Sequence, residues 1–259
     1  MEGWLKQDIR NSLQTRLQYR TQEWTGLRVG NQPGQDFVSK NIIPDEIKNK
    51  SIIEVGARAI NFSVRSIFER HSPASYLGVD IVEGPGVDRL CNAEDLVRVF
   101  GKNSFDIVAS FELLEHVANW QKVISNFKNS LKPGGSVLIG TRSRGFDYHG
   151  FPYDFWRYES EDMQAIFSDF QIVSLQKDPS CPGIFLKAVK PQDFYERDLT
   201  EYRLYSIVSH RRVKCASALE LILVRTLFPV VIKIKTVLRS VLPAGARHFI
   251  RQRILARLP

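Results

Sequence analysis

The side chains that could do chemistry in this chain fall into two groups. The first runs through Ser51–Ser63, where Ile52, Ile53 and Val55 read as a short buried strand carrying Glu54 and running into Gly56. A strand, a glycine turn and a helix N-terminus, in that order, build a nucleotide-type pocket at the carboxyl end of a parallel strand. Gly56 stands alone where a dinucleotide fingerprint needs three glycines. A carboxylate two residues before it would repel a pyrophosphate and suits a ligand with positive charge. An ordinary core strand with an ordinary turn is the competing reading. The second group spans Asp147–Tyr158, with His149, Asp154 and Arg157 set among six aromatics, and Glu115-His116 precedes it by some thirty residues. A histidine with a pKa near 6.5 can serve as a base. Aromatic faces beside acids and an arginine suit a sugar, whose CH faces stack while its hydroxyls bond to the polar groups. Here the competing reading packs Phe155 and Trp156 onto a sheet and pairs Asp154 with Arg157 internally.

These residues need elements to position them. From Ser51 onward, strand and helix patterns alternate, the signature of a parallel sheet with helices on both faces. Strands are predicted at Ile52–Val55, Tyr76–Val79, Arg89–Cys91, Asp106–Ser110 and Ser136–Thr141, with Gln171–Leu175 and Gly183–Val189 as an antiparallel pair. Helices are predicted over Ser63–Arg70, Asp95–Phe100, Trp120–Leu131 and Glu159–Phe167. Leu5, Ile9, Leu13 and Leu17 at four-residue spacing predict an N-terminal helix, followed by a loop at Gly30–Gly34 and a short helical piece over Asp36–Asn41.

Four segments together resemble the class I S-adenosylmethionine-dependent methyltransferases, over about residues 50–175. Glu54-Val55-Gly56 with Asn61 looks like a degenerate first motif, with Ala57-Arg58-Ala59 where the family has further glycines. Asp80 stands where the family ends its second strand in an acid. Phe105–Val117 resembles the fourth-strand motif, and Leu131–Leu138 the turn and strand after it. The resemblance implies a Rossmann-like fold and S-adenosylmethionine as cofactor. It implies that Asp80 takes the vicinal ribose hydroxyls, which match the two oxygens of a carboxylate. It further implies that Gly56 admits close backbone approach, that Glu54 reaches the methionine portion, that Asn61 of the first motif is cofactor-binding, that Ala93 and Glu94 lie by the adenine, and that Ser110 lies beneath the sulfonium. The His149–Tyr158 segment resembles one in bacterial methyltransferases of surface-glycan biosynthesis. No Cys, His and Asp grouping has metal-ligand spacing, and the reading expects no obligatory metal.

Composition limits the remaining classes. Forty-three per cent hydrophobic residues over 259 positions supply a full core. The three cysteines show no pairing logic, which reads as a reducing compartment, and the acid-bearing N-terminus lacks a signal-peptide core. The net charge of +8 is uneven: residues 1–202 hold 24 Lys and Arg against 27 Asp and Glu, and residues 203–259 hold 12 against Glu220 alone. Across residues 219–242 an apolar stripe (Leu223, Leu227, Val230, Val231, Ile234, Val237, Leu238, Val241) backs onto Arg225, Lys233, Lys235 and Arg239. Such a tail fits an anionic membrane surface, packing on the domain itself, or a homodimer face. Nucleic acid fits less well, because there are few aromatics for base stacking.

The sequence therefore predicts an N-terminal helical segment (1–40), a doubly wound, mostly parallel α/β domain (41–190) and a basic amphipathic helical tail (191–259). The expected function is methylation of an oxygen on a sugar or glycan intermediate, in the cytoplasm, peripheral to the inner membrane face where the tail binds lipid. An RNA or protein methyltransferase, and a non-catalytic scaffold of the same fold, stand beside it as alternatives.

Overall fold

The computed structural model describes residues 31–59, 63–149, 153–222 and 226. The chain runs α1 (Asn31–Asn41), α2 (Pro44–Ile47), β1 (Ser51–Val55), α3 (Arg65–Glu69), β2 (Ser75–Asp80), β3 (Arg89–Leu90) and a 3-10 turn (Ala93–Asp95). It continues through α4 (Leu96–Phe100), β4 (Phe105–Phe111), α5 (Trp120–Ser130), β5 (Leu131–Arg142), β6 (Trp156–Arg157) and α6 (Ser160–Ile166). The last described elements are β7 (Gln171–Lys177), β8 (Gly183–Val189), β9 (Leu204–Ser206) and β10 (Arg211–Val213).

Seven strands form one sheet in the order β3-β2-β1-β4-β5-β8-β7, parallel through β5 and antiparallel for β8 and β7. The predicted α/β fold is the one observed. Central strands are buried on both faces and read as nearly continuous apolar runs. Alternate β1 residues serve opposite faces: Ile53 and Val55 join the core under α5, while Ile52 joins Val64, Phe68 and Leu138 on the other side. Helix α5 closes the first face with Trp120, Val123, Ile124 and Phe127, spaced three and four apart and all fully buried. The chain winds β1-β2-β3 to one side and then returns to place β4 on the other, with Glu54 level with Gly78 and Ala109. That reversal opens the crevice at the carboxyl ends of β1 and β4, where such sheets bind ligands.

Two expectations change. Residues 31–34, predicted as loop, begin α1, with Pro33 in the first turn where its missing N–H costs nothing. The tail is not helical throughout: residues 204–213 form β9 and β10, which pair with β6 in a second sheet. Leu204, Ile207 and Val208 are buried there, and the Ile207 N–H donates to the Phe155 carbonyl at 2.8 Å. The helical prediction misses this because these residues satisfy their backbone groups with a partner strand fifty residues away. The predicted N-terminal helix (1–28), Asn61 and nearly all of the 219–242 stripe lie outside the described residues. Among the described residues, no helix is long and apolar enough to cross a membrane.

Candidate active site at the carboxyl edge of the sheet

At the end of β1, Gly56 turns the chain with φ 81°, and a Cβ there would sit 3.1 Å from the Leu113 Cβ. The first loop therefore lies directly against the loop after β4. The Gly56 and Ala57 N–H groups both donate to the Val79 carbonyl, tying the turn to the end of β2. Asp80 follows. Its Oδ1 accepts from the Val82 N–H at 3.0 Å and its Oδ2 from the Arg58 N–H at 3.4 Å. Burial raises its pKa, and those backbone donors and the Arg58 charge offset the rise only in part. Arg58 stretches over the same edge, since a Cβ on Gly84 would meet its Cγ at 3.0 Å. Glu54 is buried and accepts from the Tyr76 hydroxyl at 2.7 Å. Desolvation pushes it to about 7, against the Tyr76 and Val64 hydrogen bonds and the Arg65 charge.

Ala93 and Glu94, the pair expected by the adenine, behave differently. Ala93 is buried, and its carbonyl accepts from Asn126 Nδ2 at 2.9 Å. The Asn92 side chain accepts from the Glu94 N–H and caps the short turn, leaving the Glu94 carboxylate half-buried with a pKa raised by burial and then by Asp95. Ser110 is engaged inside the sheet. Its fully buried hydroxyl donates to the Val55 carbonyl at 3.0 Å, so it ties β4 to β1.

The second group assembles from three segments. After β4, Glu112 takes a left-handed backbone (φ 55°) and its N–H donates to the Gly140 carbonyl, turning Glu115 and His116 inward. Such a conformation in a non-glycine residue persists only where the surroundings fix it. The Glu112 carboxylate is held by Arg142 Nε at 2.6 Å, and burial followed by the Glu115 charge pushes its pKa up to about 7. Glu115 has no exposed surface; Oε2 accepts from Thr141 Oγ1 at 2.8 Å, while Oε1 has no hydrogen-bond partner. Burial alone would raise its pKa. The nearby His149 ring and the His116 and Arg142 charges instead bring it to about 2.

From the segment before β6, His149 presents Nδ1 to Asp154 Oδ2 at 3.0 Å, and its backbone N–H donates to the same oxygen at 2.9 Å. Burial would lower the His149 pKa, but Asp154 and then Glu115 raise it to about 9. Asp154, despite its burial, is held well below the usual carboxylate range by Arg157 and His149. Arg157 grips Asp154 with both Nη1 (2.5 Å) and Nη2 (2.8 Å). Its remaining donors go to the carbonyls of Phe146, Trp156 and Asp147. All five guanidinium N–H groups are thus used inside the protein. The expectation that Arg157 touches an acceptor gives way to a positioning role, through Asp154, on His149. Trp156 is likewise structural, fully buried with its indole N–H donating to the Val117 carbonyl.

Glu115-His116, an acid-histidine pair at a strand's carboxyl edge, is a candidate base in the sequence but stands outside the favoured set of His149, Asp154 and Arg157. The fold brings Glu115 Oε1 to 3.7 Å from His149 Nε2 and 3.8 Å from His116 Nε2. The two imidazole rings are 4.8 Å apart, and Phe146 meets the His149 ring edge-on.

Comparison with known proteins follows the same outline. Residues 32–178 match a family described as a methyltransferase domain. A ubiquinone biosynthesis O-methyltransferase from Parvibaculum lavamentivorans is 30% identical over 69 residues, 27% of this chain and 27% of that protein. A phosphoethanolamine N-methyltransferase 2 from Caenorhabditis elegans is 41% identical over 51 residues, 20% of this chain and 12% of that protein. The chain thus spans about a quarter or less of the length of these two curated relatives. Among solved structures, a Burkholderia thailandensis 1,6-didemethyltoxoflavin-N1-methyltransferase with bound 1,6-didemethyltoxoflavin and S-adenosylhomocysteine shares the fold. It has a TM-score of 0.51 at 14% identity, covering 74% of this chain and 91% of that one.

Proposed function

Because this chain belongs to the methyltransferase-domain family, with residues 32–178 as the matching part, we propose that it transfers a methyl group from S-adenosylmethionine to a hydroxyl oxygen of a small acceptor. S-adenosylmethionine supplies an electrophilic methyl on a sulfonium; the C–S bond breaks as the O–C bond forms, and the leaving thioether is neutral. Positioning and desolvation then supply much of the rate. Asp80 takes the ribose hydroxyls. Gly56 admits the ligand to the backbone, Glu54 compensates positive charge on it, and Ala93 and Glu94 border the adenine.

The observation that carries the acceptor side is the pair of buried atoms without partners, Glu115 Oε1 and His149 Nε2, facing each other at 3.7 Å. A hydroxyl between them would accept from one and donate to the other, and its proton leaves to this pair as the methyl arrives. Asp154 and Arg157 hold the imidazole for that contact. The Phe146 ring beside His149 favours a sugar or glycan intermediate, and the basic stripe beyond residue 219 would bring a lipid-linked form of it to an anionic membrane.

One observation favours a non-catalytic scaffold instead: the Arg58 side chain reaches over Gly84 and its charge acts on Asp80. Calorimetric titration of S-adenosylmethionine and S-adenosylhomocysteine into the full chain and into Asp80→Ala separates the two. Loss of at least tenfold in affinity, about 1.4 kcal/mol, is expected for the variant. No binding to the folded wild type would establish the scaffold.

A further inference from the structure

We propose that Glu115, His116 and His149 form a binding site for a divalent first-row transition-metal ion, with the chemistry of zinc. The three donor atoms, Glu115 Oε1, His116 Nε2 and His149 Nε2, lie within 4.8 Å of one another. Their outer partners fix which atom of each ring is available. His149 Nδ1 faces a carboxylate oxygen of Asp154 at 3.0 Å, and His116 Nδ1 faces the Tyr153 carbonyl at 2.6 Å. Both partners accept only, so each Nδ1 carries a hydrogen, and each Nε2 offers its lone pair to a metal that displaces any proton held there. Both lone pairs then face the same carboxylate oxygen.

An imidazole whose second nitrogen donates to a carboxylate or a backbone carbonyl is the usual arrangement for a metal-bound histidine. Here both histidines have it, and Arg157 in turn holds the carboxylate. Glu115 is oriented too, by Thr141 through its other oxygen. Glu115 Oε1 and His149 Nε2 are buried without any partner, which is costly unless something occupies the space between them. Zinc takes nitrogen and oxygen ligands at about 2.0–2.2 Å, which sets neighbouring donors about 3.3 Å apart in a tetrahedron. The separations of 3.7 and 3.8 Å from Glu115 Oε1 need only a slight contraction, and the two histidine nitrogens, within 4.8 Å of each other, close in further around the ion.

Two imidazoles and one carboxylate select zinc, iron, cobalt or nickel over magnesium and calcium, which prefer all-oxygen sites. Three protein ligands leave a position open, and the side chains of His116 and His149 are each about a quarter exposed. A ligand oxygen can therefore reach the ion. In the loaded protein His149 Nε2 is engaged, so an acceptor oxygen would meet the ion in its place. The proposal does not depend on methyl transfer.

The test uses the full chain, stripped with chelator and titrated calorimetrically with zinc, with magnesium as the control. One zinc per chain is expected, with no magnesium response, and affinity should fall at least 100-fold in His116→Gln and in His149→Gln. Asp154→Asn should lose about 10–100-fold while still binding, and Asp80→Ala should bind zinc normally. Cobalt should give visible absorption of a four- or five-coordinate site that the histidine variants lack. A measurement on the unaltered chain guards against misfolded variants: zinc should protect His116 and His149 from diethyl pyrocarbonate, read by mass spectrometry. Absence of zinc binding, absence of that protection, or binding that both histidine variants retain would each overturn the site.

Discussion

The two halves of the carboxyl edge are built on opposite principles. Around Gly56, Asp80 and Ser110, polar side chains are answered by the protein's own backbone: Val82 and Arg58 for Asp80, Val55 for Ser110. Around Glu115 and His149, ionised side chains answer each other and two buried atoms remain without partners. The first half is a shape defined largely by main chain, with the Asp80 carboxylate and the required glycine as its fixed points. The second is a charge constellation in which each member sets the state of the next. Catalytic and binding chemistry is more readily lost from the second, and stability more evenly shared by the first.

The largest effect that would break this contrast concerns Arg157. Arg157→Leu leaves the buried Asp154 with His149 in place of its bidentate arginine partner, and should cost about 3–5 kcal/mol in urea unfolding. A loss under about 1 kcal/mol would show that the constellation does not hold the fold. Next comes Glu54, whose folded pKa of about 7 lies above its ordinary value of 4.5. The folded state then holds this proton more tightly than the unfolded chain. Stability from this group is complete below about pH 4.5, is lost as the pH rises to 7, and is level above that. The loss amounts to up to about 3 kcal/mol. Glu54→Gln should remove that slope, measured as unfolding free energy at pH 5 and pH 8; an unchanged slope would place the penalty elsewhere.

Gly56→Ala adds a side chain against Leu113 at a positive φ. It should destabilise by about 1–2 kcal/mol and weaken S-adenosylhomocysteine binding. The smallest effect sharpens the comparison most. Ser110→Ala removes one buried hydrogen bond and should cost about 1 kcal/mol, with cofactor affinity unchanged in the same titration. A tenfold drop in affinity would return Ser110 to the binding residues.

The strands of the parallel sheet were legible because Ile52–Val55, Phe105–Phe111 and Val137–Ile139 are apolar runs bounded by turn signals, and burial on both faces requires such runs. The positions of Gly56 and Asp80 followed from the same pattern, since each sits where a strand ends. The role of Ser110 was not legible, and the Asp154–Arg157 pair was legible only as one of two readings. Which atom a hydroxyl or a guanidinium bonds depends on distances that sequence order does not carry. Strands β9 and β10 were hidden for a related reason: a short strand gains its hydrogen bonds from a distant partner, and its local composition is not distinctive.

By itself the sequence determined the doubly wound architecture, the order of the acids and glycine along its carboxyl edge, and the concentration of positive charge after residue 202. Local periodicity and strand-end chemistry suffice for these, because they are properties of contiguous residues. Only the tertiary structure decided that Glu115, His116 and His149 face one another, with Asp154 and Arg157 behind them. More than thirty residues separate His116 from His149, and the left-handed turn at Glu112 aims the first two side chains at the third. A constellation of this kind is a relation between distances in space, fixed by how β4, β5 and β6 pack.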